Sequence, residues 1–304
     1  MRVTTLLSIA LAALLCACQP QKPASLHIDQ ALGNLIPPDT TFVMGANLEA
    51  LRSTPVYQKW LGQLDLPQLK DFAAQTGVDP RKDLSRVLSC SNGKSALLLA
   101  RGTFNLRDLE PRLAAKGAQK TDYKGHKLFG DQRWAVTFID TSTAVAGSTI
   151  ELRALLDRQA AKSSGLSPAL RAKVDSINAN SQVWGAVVGG LQGLNLGVPD
   201  DSNLGSAIHL LQGIDSATLA MDLRSGLDLK AEADCRTDRD AKRINDAIKG
   251  LVGIGRLSTP DNQPELLKLY DAVKVAQQQA HVQVVAQVGS DLVDQFLDLW
   301  LKRK

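Results

Sequence analysis

Several groupings in this chain have residue types and spacings that could do chemistry. Ser91-Asn92-Gly93-Lys94 has the Ser-x-x-Lys spacing of acyl-serine enzymes, and Gly93-Lys94-Ser95 has the form of the end of a phosphate-binding loop. Both chemistries need a specific local context. A nucleophilic Ser-x-x-Lys needs a helix start that sets the Lys beside the Ser, and a Walker loop needs Gly at position 88, where Leu88 stands. The Asn-Gly pair points instead to a hairpin, because a two-residue type I′ turn requires positive φ at both central positions. The stretch from Gly189 to Gly197, GGLQGLNLG, could offer backbone N–H groups to an anion. It lacks the spacing of a dinucleotide fingerprint, and its leucines suggest local burial.

The four histidines, His27, His126, His209 and His281, have no second His or Cys at helical metal-ligand spacing. A catalytic zinc commonly takes three protein ligands, so no metal and no cofactor is expected. No Gly-x-Ser-x-Gly or His-Glu-x-x-His occurs, and an acid–base pair would have to converge from distant parts of the chain; catalytic residues stay unassigned. Cys90 and Cys235 are candidates for a disulfide in an oxidising compartment, the alternative being two buried, small, apolar side chains.

The most specific chemistry lies at the start. Residues 1 to 18, MRVTTLLSIALAALLCAC, carry one positive charge at Arg2, an apolar run from Leu6 to Leu15, and small residues after it. This is the layout of a secretory signal, and the run is too short for a good transmembrane helix, which needs roughly 20 residues. Leu15-Cys16-Ala17-Cys18 resembles the bacterial lipobox. The resemblance implies that the Cys18 thiol receives a diacylglycerol, that the signal is cut before it, and that Cys18 becomes the first mature residue. Acyl chains contribute about 0.8 kcal/mol per buried CH2, and two or three chains hold firmly. Gln19 stands where Asp would favour inner-membrane retention in those families, which implies the outer membrane, facing the periplasm.

Residues 1–17 are thus read as signal and 18–38 as anchor and tether, with an amphipathic helix possible from Leu26 to Ile36 before Pro37-Pro38 stops it. The body reads as two related halves, 39–161 and 168–304. TFVMGANL at 41–48 aligns with SQVWGAVV at 181–188 at an offset of 140, Gly77-Val78-Asp79 with Gly213-Ile214-Asp215 at 136, and Gly147-Ser148 with Gly289-Ser290 at 142. Hairpin signals at Asn92-Gly93 and Ser225-Gly226 are each followed by a helix, capped by Asn105 and Gly117 in one half and by Asp238 and Gly250 in the other. Apolar or alternating runs such as Ser95 to Ala100, Trp134 to Ile139, Ala217 to Leu223 and Val282 to Val288 predict strands. The expected class is α+β, with a mainly antiparallel sheet in each half and helices over one face. The body also resembles bacterial exported proteins built from a duplicated α+β unit, with Pro37 to Thr40 leading into the first strand; that resemblance carries no catalytic residues.

Composition narrows the functional classes. With 44% hydrophobic residues the 304-residue chain can bury a core, and Lys+Arg exceed Asp+Glu by only 35 to 31 without clustering, so no nucleic-acid footprint is present. The last helix sets Leu292, Phe296, Leu299 and Trp300 on one stripe ahead of Lys302-Arg303-Lys304, which suits core packing or contact with a membrane or partner. The leading expectation is a lipid-anchored, non-enzymatic envelope module that binds a protein or an apolar small molecule. The alternatives are a lipid-anchored hydrolase with a dispersed active site, or a carrier, which needs an apolar cavity between helices and sheet.

Overall fold

The computed structural model describes residues 24–161, 165–191, 212–260 and 263–301. Twelve antiparallel strands form one sheet in the order β11-β12-β10-β9-β8-β1-β2-β3-β7-β6-β5-β4. The first half supplies β1 (Phe42–Asn47), β2 (Leu84–Ser91), β3 (Ala96–Gly102), β4 (Gln119–Tyr123), β5 (His126–Gly130), β6 (Trp134–Asp140) and β7 (Thr143–Ser148). The second supplies β8 (Val183–Val188), β9 (Ile214–Asp222), β10 (Gly226–Cys235), β11 (Val273–Gln278) and β12 (His281–Gly289). The helices are α1 (Gln30–Gly33), α2 (Leu48–Arg52), α3 (Pro55–Lys59), α4 (Pro67–Thr76), α5 (Pro80–Asp83), α6 (Leu106–Ala115), α7 (Thr149–Ala161), α8 (Pro168–Asp175), α9 (Asp238–Leu257), α10 (Pro264–Ala272) and α11 (Ser290–Leu301).

The halves share one sheet through the pair β1:β8, and from that seam outwards the strand order follows the same path, β1-β2-β3-β7-β6 on one side and β8-β9-β10-β12-β11 on the other. Side-chain placement follows the symmetry less well. Val43 lies beside Ala186 and Ala46 beside Val183, so Val43 and Val183, aligned at an offset of 140, point to opposite faces. A one-residue slip turns every side chain over in a structure of period two. The likeness of the halves is therefore one of strand order.

Cross-strand partners share a face, which lets the two faces be followed across the sheet. On the front face of the first half, Val43, Leu88, Cys90, Leu97, Leu99 and Val145 form the main core with Leu152, Leu155 and Leu156 of α7 and Leu170 and Val174 of α8. The back face of that half packs Ala100, Ala144 and Phe138 under Phe104 and Leu109, so the first half is covered on both sides. In the second half α8 lies on the front face over β8, and the later helices lie on the back face: Ala241 and Ile244 of α9 cover Cys235 and Val282, and Val293 of α11 meets Val288 and Val56. The front face there turns polar beyond β8, because the residues that alternate onto it are Thr218, Lys230, Glu232, Asp234, His281 and Gln283.

Three local expectations are revised. Residues 24–36 form a strap and not a tether: Leu26, Leu32, Leu35 and Ile36 are buried in the main core, and Leu26 N–H donates to the Ile177 carbonyl at 2.8 Å. Each such side chain gains about 1.5–3 kcal/mol by burial, which outweighs the freedom of a polar linker. The Asn92-Gly93 connection is a four-residue loop between partners Ser91 and Ala96, with Gly93 at φ 84° and the Asn92 Oδ1 accepting from the Lys94 and Ser95 N–H groups. The tight turn with two positive φ values lies elsewhere, at Lys124-Gly125. Finally α9 starts after Thr237 and runs past Gly250 to Leu257. A helical Gly costs about 1 kcal/mol, but Gly255 is needed, since a Cβ there would lie 2.4 Å from the Tyr270 ring on α10.

Candidate functional site

Two concavities have the chemistry of binding sites. The first is an apolar cleft of about 250 Å3 on the back face of the first half, between the sheet and the pair α4 and α6. Its floor follows the register: Leu98, Ala146 and Val136 are cross-strand partners in one row, with Ala100, Ala144 and Phe138 in the next. Phe104 and Leu109 close one side, and the Phe104 and Phe138 rings meet at 5.3 Å in a tilted pair. Phe72 of α4 and Leu98 stand at the mouth and remain 46% and 49% exposed. Helix α4 comes to the rim because Pro67 starts it and Gly77 at φ 79° ends it. The lone polar side chain of the lining, Thr76, uses its hydroxyl internally, donating to the Phe72 carbonyl at 2.7 Å and accepting from Val78 N–H at 3.1 Å. A guest would meet hydrocarbon on every side and find no free hydrogen-bonding group among these residues.

The second site is polar and lies on the front face of the second half. Strands β9, β10 and β12 and helix α8 bring Ser216, Asp234, His281 and Lys173 together, four residues that sequence spacing did not connect. Asp234 accepts from the Ser216 hydroxyl at 3.0 Å, pairs with His281 Nδ1 at 2.8 Å, and forms an ion pair with Lys173. Burial raises the Asp234 carboxyl, yet the hydrogen bonds from Lys173, His281 and Ser216 outweigh it and hold the group down at about 2. In a nucleophilic relay the serine would bond to the imidazole, which would in turn be oriented by the carboxylate. Here Ser216 and His281 both bind the carboxylate, so the grouping is a clamp that fixes α8 to the sheet. The signal that could have found it is strand alternation, which puts positions 216, 234 and 281 on one face once the pairing is known.

Beside this clamp lies a polar cleft of about 270 Å3, floored by β9 and β10 and bordered by Ser25 and by the segment from Asp175 to Asn178. Asp222 and Asp228 are direct cross-strand partners on its floor. Burial raises the Asp222 carboxyl, and the Arg224 side chain, which bonds it at 2.7 and 3.0 Å, more than offsets this.

The remaining residues singled out by sequence are placed as follows. Cys18 and His209 lie outside the described residues, as does the Gly-rich stretch after Leu191. Cys90 and Cys235 are both free and buried, as in the alternative of two packed, small, apolar side chains, and the candidate bridge is not formed. Cys90 sits on β2 and Cys235 at the end of β10, with β1, β8 and β9 between. Four inter-strand steps of about 4.8 Å separate them by roughly 19 Å, and a disulfide needs Cα atoms within about 7 Å. Burial pushes the Cys90 thiol up to about 12 and raises Cys235 as well. Ser91 precedes the loop already described and Lys94 lies within it, away from any helix start. His27 is exposed and His126 adjoins the Lys124-Gly125 turn. No group of three or more His, Cys, Asp or Glu is arranged as metal ligands among the described residues. On α11, Leu292, Val293 and Leu297 pack inward, while Phe296 and Leu299 stay partly exposed. Among the described residues no helix is long and apolar enough to cross a membrane.

These features define an α+β protein with one large antiparallel sheet that carries, among its described residues, an apolar and a polar cleft. No family model and no curated protein matches the chain. Among solved structures it is similar to crystal form III of TP0453, a Treponema protein, with a TM-score of 0.50 at 9% identity over 90% of this chain and 99% of that one. Crystal form IV of the same protein gives 0.48 at 9% identity, covering 88% and 95% of the two chains. The likeness concerns the fold.

Proposed function

We propose that this chain is a lipid-anchored cell-envelope protein that acts as a non-enzymatic binding module, and that the apolar cleft under α4 and α6 receives a hydrocarbon group of a small molecule. The cleft carries the reading: it is open to solvent at Phe72 and Leu98, and its hydrogen-bonding groups are already satisfied. Its volume of about 250 Å3 exceeds the roughly 150 Å3 that suffices to hold benzene in an apolar cavity. An apolar guest there removes Phe72 and Leu98 from water without leaving any polar group unpaired. The anchor rests on Leu15-Cys16-Ala17-Cys18, and Gln19 favours the outer membrane, facing the periplasm.

The cleft is tested with N-phenyl-1-naphthylamine, an apolar dye that brightens when it leaves water. The wild-type chain should raise its emission saturably. Ala146→Phe, which sets a ring between Leu98 and Val136, should weaken binding by about tenfold or more with unchanged far-UV circular dichroism. Equal affinity in the two proteins would overturn the cleft as the site. The anchor is tested separately by Cys18→Ser, which should release the protein from the membrane fraction.

A further inference from the structure

The outer edge of β4 carries an assignment of its own. β4 ends the sheet, and every residue of it except Tyr123 is exposed. The two-residue turn at Lys124-Gly125 makes the pair beside it, Tyr123 and His126, a hydrogen-bonded one. Alternation from that pair turns the backbone N–H and C=O of Tyr123, Thr121 and Gln119 toward β5 and those of Lys120 and Asp122 outward. No described residue pairs with these outward groups, and such an edge is a template for a further strand.

The charges along the edge select the strand that fits it. Lys120 and Asp122 stand on one face, opposite Phe129 and Lys127 of β5. Glu110 holds Lys127 at 2.9 Å and reaches Lys120 only at 3.9 Å. Asp122 forms no salt bridge among the described residues and acts on Lys127 at longer range. In an antiparallel pairing of two copies, residues with outward backbone groups must face each other. One register sets Lys120 against the copy's Lys120 and another sets Asp122 against the copy's Asp122, and like charges directly opposite are destabilising. The register between them, centred on Thr121, sets each Lys120 against the other copy's Asp122.

We propose that two copies of this chain pair through β4, antiparallel about a two-fold axis at Thr121, with Lys120 of each copy beside Asp122 of the other. Each Lys120–Asp122 pair then exchanges its free N–H and C=O groups, and on the other face Thr121 meets the copy's Thr121, a favourable cross-strand pair. The interface is isologous and closes at two copies, and a strand of this length places it among weak, transient contacts. The other outermost strand, β11, has Lys274 as its one charged residue, so no opposite charges select a register there. The pairing depends on neither cleft and not on the anchor.

The test uses the full chain. At the axis the two Thr121 Cα atoms would lie about 4.5 Å apart, as in a non-hydrogen-bonded pair, a distance that a disulfide spans. Thr121→Cys should therefore form a covalent dimer under mild oxidation. Gln119→Cys should not, because its counterpart is displaced by about 14 Å along the copy's strand. Sedimentation should show the wild type associating as its concentration rises to about 0.5 mM. Lys120→Asp and Asp122→Lys each set like charges opposite in both pairs and should associate about tenfold more weakly. An equimolar mixture of these two variants should recover wild-type association, because the charges of one then oppose those of the other. Absence of wild-type association, crosslinking at 119 equal to that at 121, or a mixture no stronger than its components would overturn the proposal. If either charge variant loses its far-UV circular dichroism, the two cysteine variants alone decide.

Discussion

Replacing Asp234 by Asn removes the charge of the clamp while keeping its size, and the structure sets how much should be lost. The carboxyl titrates at about 2 in the fold against an ordinary 3.8. At about 1.36 kcal/mol for each pH unit, the charged form stabilises the native state by at most about 2.4 kcal/mol at neutral pH. The side chain is 45% exposed, and solvent screening of a partly exposed pair brings this to about 1 kcal/mol. The sign follows from the lowered value. The contribution is complete above pH 3.8 and disappears as the pH falls through 2. Urea unfolding followed by tryptophan fluorescence at a series of pH values should show Asp234→Asn about 1 kcal/mol less stable than wild type at pH 5 to 7. The two proteins should converge between pH 4 and 2. A difference that stayed constant down to pH 2 would mean that Asp234 acts through shape, and the electrostatic account of the clamp would fail.

Two further outcomes follow from packing. At the seam a Cβ on Gly45 would lie 2.4 Å from the Trp184 ring; Gly45→Ala should therefore cost about 1–3 kcal/mol, whereas Gly250→Ala, in helical open space, should gain up to about 1 kcal/mol, both by urea denaturation. Cys90, pushed up to about 12 by burial, and the buried Cys235 should resist a thiol reagent at pH 8 in the native protein and both react after denaturation. A fast native reaction would contradict the burial of the thiols, and fewer free thiols than these two in denaturant would contradict their separation in the sheet.

The elements were more legible in the sequence than their assembly. Apolar alternation located β3, β6, β9 and β12 to within a few residues, because burial of one strand face is written locally. The end of α9 was missed because Gly250 has the chemistry of a helix stop, while the reason to continue, Tyr270 against Gly255, lies on another helix. The strap has the sequence of a linker up to Leu26 and of a short helix beyond it, because the partners that bury it, such as Leu170, Val174 and Ile177, lie far along the chain. The candidate sites were harder still. The apolar cleft is a vacancy between elements, and Asp234, Ser216 and His281 meet only through strand register. The choice between a Cys90–Cys235 bridge and two buried thiols is hidden in the sequence for the same reason: spacing along the chain gives no count of the strands between.

The seam between β1 and β8 bears on how the polypeptide assembles. Strand β1 meets β8 from 140 residues later, and Leu26 is fastened to Ile177. During synthesis or export from the N-terminus, β1 therefore waits with one unsatisfied edge until the latter half arrives. Pairings so distant in sequence form slowly, and an open apolar border is prone to wrong partners. The earliest residues to emerge would be among the last to find their places, so a chain interrupted before Val183 should be sticky and not a free-standing domain.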